Sequence, residues 1–154
     1  MGSELEHLDL IDLISARYFE LRKRADQKWD RHSTTYISNS EWSILGVIYA
    51  CEQTTIVNIS KKVDISRQAT HKFVNRLNEK GLVEIRNLAH NKKQKSISLS
   101  SMGEKFVKKN ETLKSKLEQQ IGGKIGYDRL QILKEILKSD WGIAQSSERS
   151  QAKK

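Results

Sequence analysis

The chain has 154 residues, 31% of them charged and 36% apolar. That suits one domain's worth of core, and no apolar run approaches the roughly 20 residues of a membrane-spanning helix, so no membrane partner is expected. Residues 1–15 carry four acids and no Lys or Arg ahead of the apolar stretch, which is not a signal-peptide pattern. The single cysteine, Cys51, permits no intrachain disulfide and suits a reducing compartment, so a cytoplasmic location is expected.

The net charge of +9 is unevenly placed: −3 over residues 1–59, +7 over 60–100 and +5 over 101–154. A positive block of this kind is either a solvated face or a place where phosphates are met, and charge alone does not separate the two.

In chain order, Ile11, Ile14, Tyr18, Leu21, Ala25 and Trp29 step by three or four, which predicts one helical face over about Leu5 to Arg31. Leu8, Leu10 and Leu13 widen that face, and so wide an apolar surface calls for burial against the chain's own core or another subunit. Ser38 and Glu41 then have capping-box spacing, with Ile37 and Trp42 at the two positions of a hydrophobic staple. Trp42, Leu45, Ile48 and Tyr49 are the expected inward face of this second helix.

Thr55 is a candidate cap for a short helix burying Ile56, Ile59 and Val63. Asp64-Ile65 reads as the turn, and Ser66 caps the next helix, running to Lys80. Gly81 ends it, with Leu77 and Leu82 placed for the contact of a Schellman motif. Ala69, Thr70, Phe73, Val74 and Leu77 are expected inside. Arg67, Gln68, His71, Lys72, Asn75 and Arg76 are left outside, with no carboxylate before Glu79. An ordinary exposed face mixes both signs. A face of amide, imidazole and cationic groups is the set that reads base edges and meets phosphate in a major groove.

Leu82–Arg86 and Ser96–Leu99 alternate as two strands of a hairpin, with a loop from Ala89 to Lys95 between them. Lys92, Lys93 and Lys95 repel one another there, and the placement becomes useful beside an anion. Ser101 and Glu104 have capping-box spacing for a helix through Gln120, interrupted at Gly122-Gly123 and Gly126. Asp128 is a candidate cap for a last helix carrying Leu130, Leu133 and Leu137 in a stripe with Ile132 and Ile136 beside it. Trp141 closes the run. A tail of Ser, Gln and Lys is expected to be disordered over 146–154.

These residues resemble the MarR family of bacterial transcription regulators, over roughly Leu8 to Trp141. The most specific stretches are Ile59 through Ser66, with its turn at Asp64-Ile65, and Lys72 through Val83, which contains Leu77-Asn78-Glu79-Lys80-Gly81-Leu82-Val83. Ile97 through Gly103 is similar to the family's segment after the wing. Asn91 and Lys93 stand where the family usually has an Asp–Arg pair in the wing. Lys keeps the cation but loses the planar guanidinium fork, which implies a less rigid wing and weaker minor-groove reading. The family's turn glycine is Asp64 here, and Ile85 with Arg86 replaces its usual arginine.

The resemblance implies a mainly α fold with a small β-hairpin wing, that is, a winged helix-turn-helix over 35–100 with dimerisation helices at 1–34 and 101–145. It implies a homodimer on double-stranded DNA reading a pseudo-palindrome, with half-sites about 10 bp apart or a multiple of it. Repression is the expected sense of regulation. The expected DNA contacts are Thr55, Lys61, Ser66, Arg67, Gln68, His71, Lys72, Asn75, Arg76, Lys92, Lys93 and Lys95. A small-molecule effector is a further expectation, with Tyr18, Trp29, Tyr36, Trp42 and Tyr49 as lining candidates, although each is also an ordinary core or staple residue.

No enzyme is expected. Cys51 lies on an apolar helix beside Tyr49 and Ala50, where structural burial is the simpler reading and oxidant sensing the minority one. His7, His32, His71 and His90 lack metal-ligand spacing, and no phosphate loop or nucleophile elbow occurs, so no metal or cofactor is expected. The competing reading from another class is a helical dimerisation or adaptor module that keeps the fold without sequence-specific DNA binding.

Overall fold

The computed structural model describes the backbone of residues 2–88 and 91–144, and the side chains of 4–88 and 94–144. The helices are α1 (Gly2–Leu5), α2 (Leu10–His32), α3 (Asn39–Cys51), α4 (Ile56–Val63), α5 (Arg67–Glu79), α6 (Ser101–Ile125) and α7 (Tyr127–Lys138). The strands are β1 (Gln53–Thr54), β2 (Val83–Leu88) and β3 (Asn91–Leu99). Two compact units divide the chain, residues 1–115 and 116–154. The disordered tail expected over 146–154 lies outside the described residues.

The first unit is built on one apolar core. Ile44, Leu45 and Ile48 of α3, Ile59 of α4, Val74 and Leu77 of α5, and Leu82, Val83 and Ile97 around the sheet are all buried. Trp29 of α2 and Val107 and Leu113 of α6 belong to the same cluster. The expected first helix is cut short at its start. Asp9 accepts from the backbone N of Asp12 at 2.9 Å, a side-chain cap that begins the helix at Leu10 rather than near Leu5. The capping box of α3 forms as the spacing requires: Glu41 N donates to Ser38 Oγ at 3.2 Å and Ser38 N donates to Glu41 Oε1 at 3.1 Å. Tyr49, expected inside, is exposed, because Ile48 takes the inward position at that turn of α3.

The sheet is antiparallel in the order β1-β3-β2, with Val83 opposite Leu99 and Ile85 opposite Ile97. A two-residue β1 was not legible, being too short to show alternation. Gln53 pairs with Ser98 and Thr54 with Ile97. The expected loop from Ala89 to Lys95 is mostly strand. The ladder continues past Arg86–Ser96 to Asn87–Lys95, then shifts register to Leu88–Asn91, leaving only 89–90 between the strands. Lys95 therefore sits in a strand, not in a loop.

Ser100, not Ser101, caps α6. Gly103 N donates to Ser100 Oγ at 3.0 Å, and the same hydroxyl donates to Gly81 O at 2.6 Å. Gly103 lets this turn approach Leu82 closely, since a Cβ there would stand 2.0 Å from Leu82 O.

In the second unit, Gly122 and Gly123 lie inside α6 instead of interrupting it. A Cβ at Gly122 would fall 2.5 Å from the Tyr127 ring, so the glycine makes room for that aromatic. The break comes at Gly126, whose φ of 102° turns the chain into α7 without any side-chain cap. Asp128 is thus inside the helix and not its cap. Lys134 pairs with Glu118 at 2.9 Å, and Trp141 Nε1 donates to Ile136 O at 2.7 Å.

Candidate nucleic-acid interface

Two short helices and a three-residue turn shape the candidate site. Thr55 Oγ1 accepts from Asn58 N at the start of α4. Asp64 ends that helix in the left-handed region, at φ 59° and ψ 49°, a conformation that Asp tolerates better than bulkier residues. Ser66 Oγ then accepts from Ala69 N at 3.1 Å, and Thr70 Oγ1 donates back to Ser66 O at 2.9 Å, fixing the first turn of α5. At the other end Gly81 adopts φ 78°. Leu82 N reaches Leu77 O and Gly81 N reaches Asn78 O, both at 2.9 Å, the complete Schellman pattern with both leucines buried.

With both ends fixed, the faces of α5 are assigned. Thr70, Val74 and Leu77 are buried, with Ala69 and Phe73 partly so. Arg67, Gln68, His71, Lys72, Asn75 and Arg76 are all exposed. Steps of four separate them into two stripes. Arg67, His71 and Asn75 face a cavity of about 290 Å³, completed by Thr55 of the α4 cap and by Gln94 and Lys95 of β3 over an apolar floor that includes Val74, Ile85 and Ile97. Gln68, Lys72 and Arg76 form the neighbouring stripe and line no part of that cavity. Arg76 lies over the Phe73 ring at 5.8 Å. Among the described residues no carboxylate pairs with Arg67, Lys72 or Arg76.

The fold therefore brings Thr55, Arg67, His71, Asn75 and Lys95 to one place. Ser66 and Lys61 are exposed outside the cavity lining. Lys92 and Lys93 belong to β3 by backbone, but their side chains lie outside the described residues, as do Ala89 and His90. No local sequence signal marks Gln94, because the strand that carries it reads as loop.

The aromatic residues considered for an effector have separate roles. Trp29 and Trp42 are buried edge to face, and Trp29 also meets Phe106 at 5.2 Å and donates from Nε1 to Thr35 O at 2.8 Å. Tyr18, Tyr36 and Tyr49 are exposed, and none of the five lines the cavity beside α5. Cys51 is half-buried, with Lys62 Nζ at 3.7 Å and Asn58 Nδ2 at 3.9 Å from its sulfur. No group of three or more His, Cys, Asp or Glu residues suited to a metal occurs among the described residues.

Sequence and structure comparisons agree with this geometry. A family model described as winged helix-turn-helix DNA-binding matches residues 37–84, the span from the staple of α3 into β2. A mutant of MarR from E. coli superposes with a TM-score of 0.73 at 20% identity, over 86% of this chain and 96% of that one. A mutant of S. aureus MepR bound to an oligodeoxyribonucleotide gives 0.62 at 22% identity, over 85% and 94%. NadR in complex with 4-hydroxyphenylacetate gives 0.63 at 20%, over 86% and 92%. No curated protein matches the chain by sequence. The chain thus has the fold of the MarR regulators, mainly α with a small antiparallel wing, built around a winged helix-turn-helix.

Proposed function

We propose that the chain is a MarR-family transcription regulator that binds double-stranded DNA through α5 and the β2–β3 wing. The observation that carries this reading is the outer face of α5: six exposed polar or cationic side chains and, among the described residues, no carboxylate paired with its three cations. Such a face repels itself in solution and gains partners on a polyanion. Gln68, His71 and Lys72 are assigned to base edges, with Arg67, Asn75 and Arg76 beside them. Ser66 and the dipole at the start of α5, with Thr55 and Lys61, are assigned to phosphates, and Lys92, Lys93 and Lys95 to the wing contact.

The acting species in this reading is a homodimer. Leu10, Ile11, Ile14, Tyr18 and Phe19 of α2 are exposed, as are Ile132, Leu133, Ile136 and Leu137 of α7, and both faces suit burial against a second copy. A two-fold pair reads a pseudo-palindrome. Repression is the proposed sense, in the cytoplasm; no helix among the described residues is long and apolar enough to cross a membrane. MepR on DNA and NadR with an aromatic acid motivate both a duplex and a small-molecule effector for this chain. No catalytic role is assigned.

A second reading rests on Asn91 and Lys93, which replace the Asp–Arg pair usual in the wing: an adaptor of the same fold without sequence preference. A mobility-shift titration separates the two, using duplex from upstream of the protein's own gene against random-sequence competitor at physiological salt. Retention of the labelled duplex supports a regulator. Equal displacement by any sequence supports the adaptor.

A further inference from the structure

Glu41 is only 2% exposed, an unusual setting for a carboxylate, and it serves two partners at once. Its Oε1 accepts from Ser38 N in the α3 capping box, and its Oε2 accepts from Lys80 Nζ at 2.7 Å. Lys80 is the C-cap of α5, and the same ammonium donates to Tyr36 O at 2.8 Å while lying 5.8 Å from the centre of the Tyr36 ring. One lysine thus ties the far end of α5 to the segment that enters α3. Both charges also suit their helix ends: the anion sits at the N-terminus of α3 and the cation at the C-terminus of α5.

Burial of Leu45, Ile48, Val74 and Leu77 already holds α3 against α5. Apolar burial is non-directional, however, and leaves the two helices some freedom of small adjustment in roll. Two directed bonds from one ammonium remove that freedom. We infer that Glu41 and Lys80 are positioning residues for DNA recognition: the pair fixes the roll and tilt of α5, and with them the bearing of Gln68, Lys72 and Arg76. Neither residue is assigned a DNA contact. The inference rests on the DNA-binding reading only for its consequence at the duplex; the orientation of α5 is measurable without DNA.

Lys80→Met alone leaves a buried carboxylate unpaired and lowers stability for that reason. The informative variant is Glu41→Gln with Lys80→Met. It retains an acceptor for Ser38 N, buries no charge and lacks the tie. Its fold is checked by thermal melting. Spin labels at positions 43 and 68, both exposed, in a Cys51→Ser background report the α3–α5 distance. The expected result is a distance distribution shifted or broadened relative to the parent. Affinity for a selected duplex is expected to fall on the order of tenfold, comparable to the removal of one base-reading side chain, while random duplex binds as before. An unchanged distance distribution in the folded double variant overturns the inference. A parent protein that selects no duplex rejects the DNA reading, and the label distances still decide the role of the pair.

Discussion

Trp29 of α2 stands edge-on to Trp42 of α3, with ring centres 4.7 Å apart and planes at 85°. The pair joins the first long helix to the helix that opens the winged domain, at the site where the staple residue Ile37 is also buried. Edge-to-face contact adds about 0.5–1.5 kcal/mol to the burial of the two rings. Trp29→Ala removes that contact, the Phe106 contact and the bond to Thr35, so it is expected to cost about 3–5 kcal/mol. Urea unfolding measures the loss. A change below about 1 kcal/mol rules out a core role for Trp29.

Gly103 of α6 packs directly against the backbone carbonyl of Leu82. With 2.0 Å between a built Cβ and Leu82 O, Gly103→Ala forces α6 away from the α5–β2 junction. The expected cost is about 1–3 kcal/mol, in spite of the better helix propensity of Ala. Thermal melting of Gly103→Ala shows a fall if the close approach exists in solution and a rise if it does not.

Glu52, the C-cap of α3, has φ 62° and ψ −47°, a conformation that costs a side-chain-bearing residue on the order of 1–3 kcal/mol. Glu52→Gly relieves that strain but loses some unfolded-state restriction, so a net gain of about 1 kcal/mol is expected. A lower melting temperature for this variant contradicts the positive-φ backbone at Glu52.

At the proposed interface, Lys72→Ala and Arg76→Ala each remove a cation that has no carboxylate partner among the described residues. Stability is therefore expected to change by no more than about 0.5 kcal/mol for Lys72→Ala, and by up to about 1 kcal/mol for Arg76→Ala, which also loses its contact with the Phe73 ring. Duplex affinity is expected to drop by about 1–3 kcal/mol where a base edge is read, and the slope of affinity against salt by about 1 for each phosphate no longer neutralised. Titrations at several salt concentrations separate the two cases, and unchanged affinity and slope remove both residues from the interface.

The apolar faces of α2 and α7 give an independent prediction for assembly. Ile14→Glu and Leu133→Glu place a charge on exposed apolar positions, where a lone chain tolerates it and a buried interface does not. Sedimentation is expected to show a dimer for the parent and a shift to monomer for each variant. A parent that sediments as a single chain ends the homodimer proposal.

The parts that were legible in the sequence were those set by local chemistry. Ser38–Glu41, Thr55, Ser66 and Gly81 each act on backbone groups within a few residues, so their spacing carries the structure with it. The six outer residues of α5 were legible because helix period and charge agree. What escaped was set at longer range or by a neighbouring alternative. Ser100 rather than Ser101 caps α6 because Ser100 also bonds Gly81 O, a partner distant in sequence. Gly122 reads as a breaker, but it is the space for Tyr127. Residues 91–95 read as loop because polar and cationic residues have low strand propensity, and cross-strand pairing to β2 overrides it. The Glu41–Lys80 tie joins residues 39 positions apart, beyond the reach of any local pattern.

Selection from a random pool of duplex DNA at physiological salt, followed by sequencing of the retained molecules, tests the proposed function most directly. The expected result is a pseudo-palindrome with half-sites about 10 bp apart or a multiple of it, abolished when Lys72 and Arg76 are both changed to Ala. Retained molecules without any shared motif, or a motif that survives those two changes, would contradict DNA reading by α5.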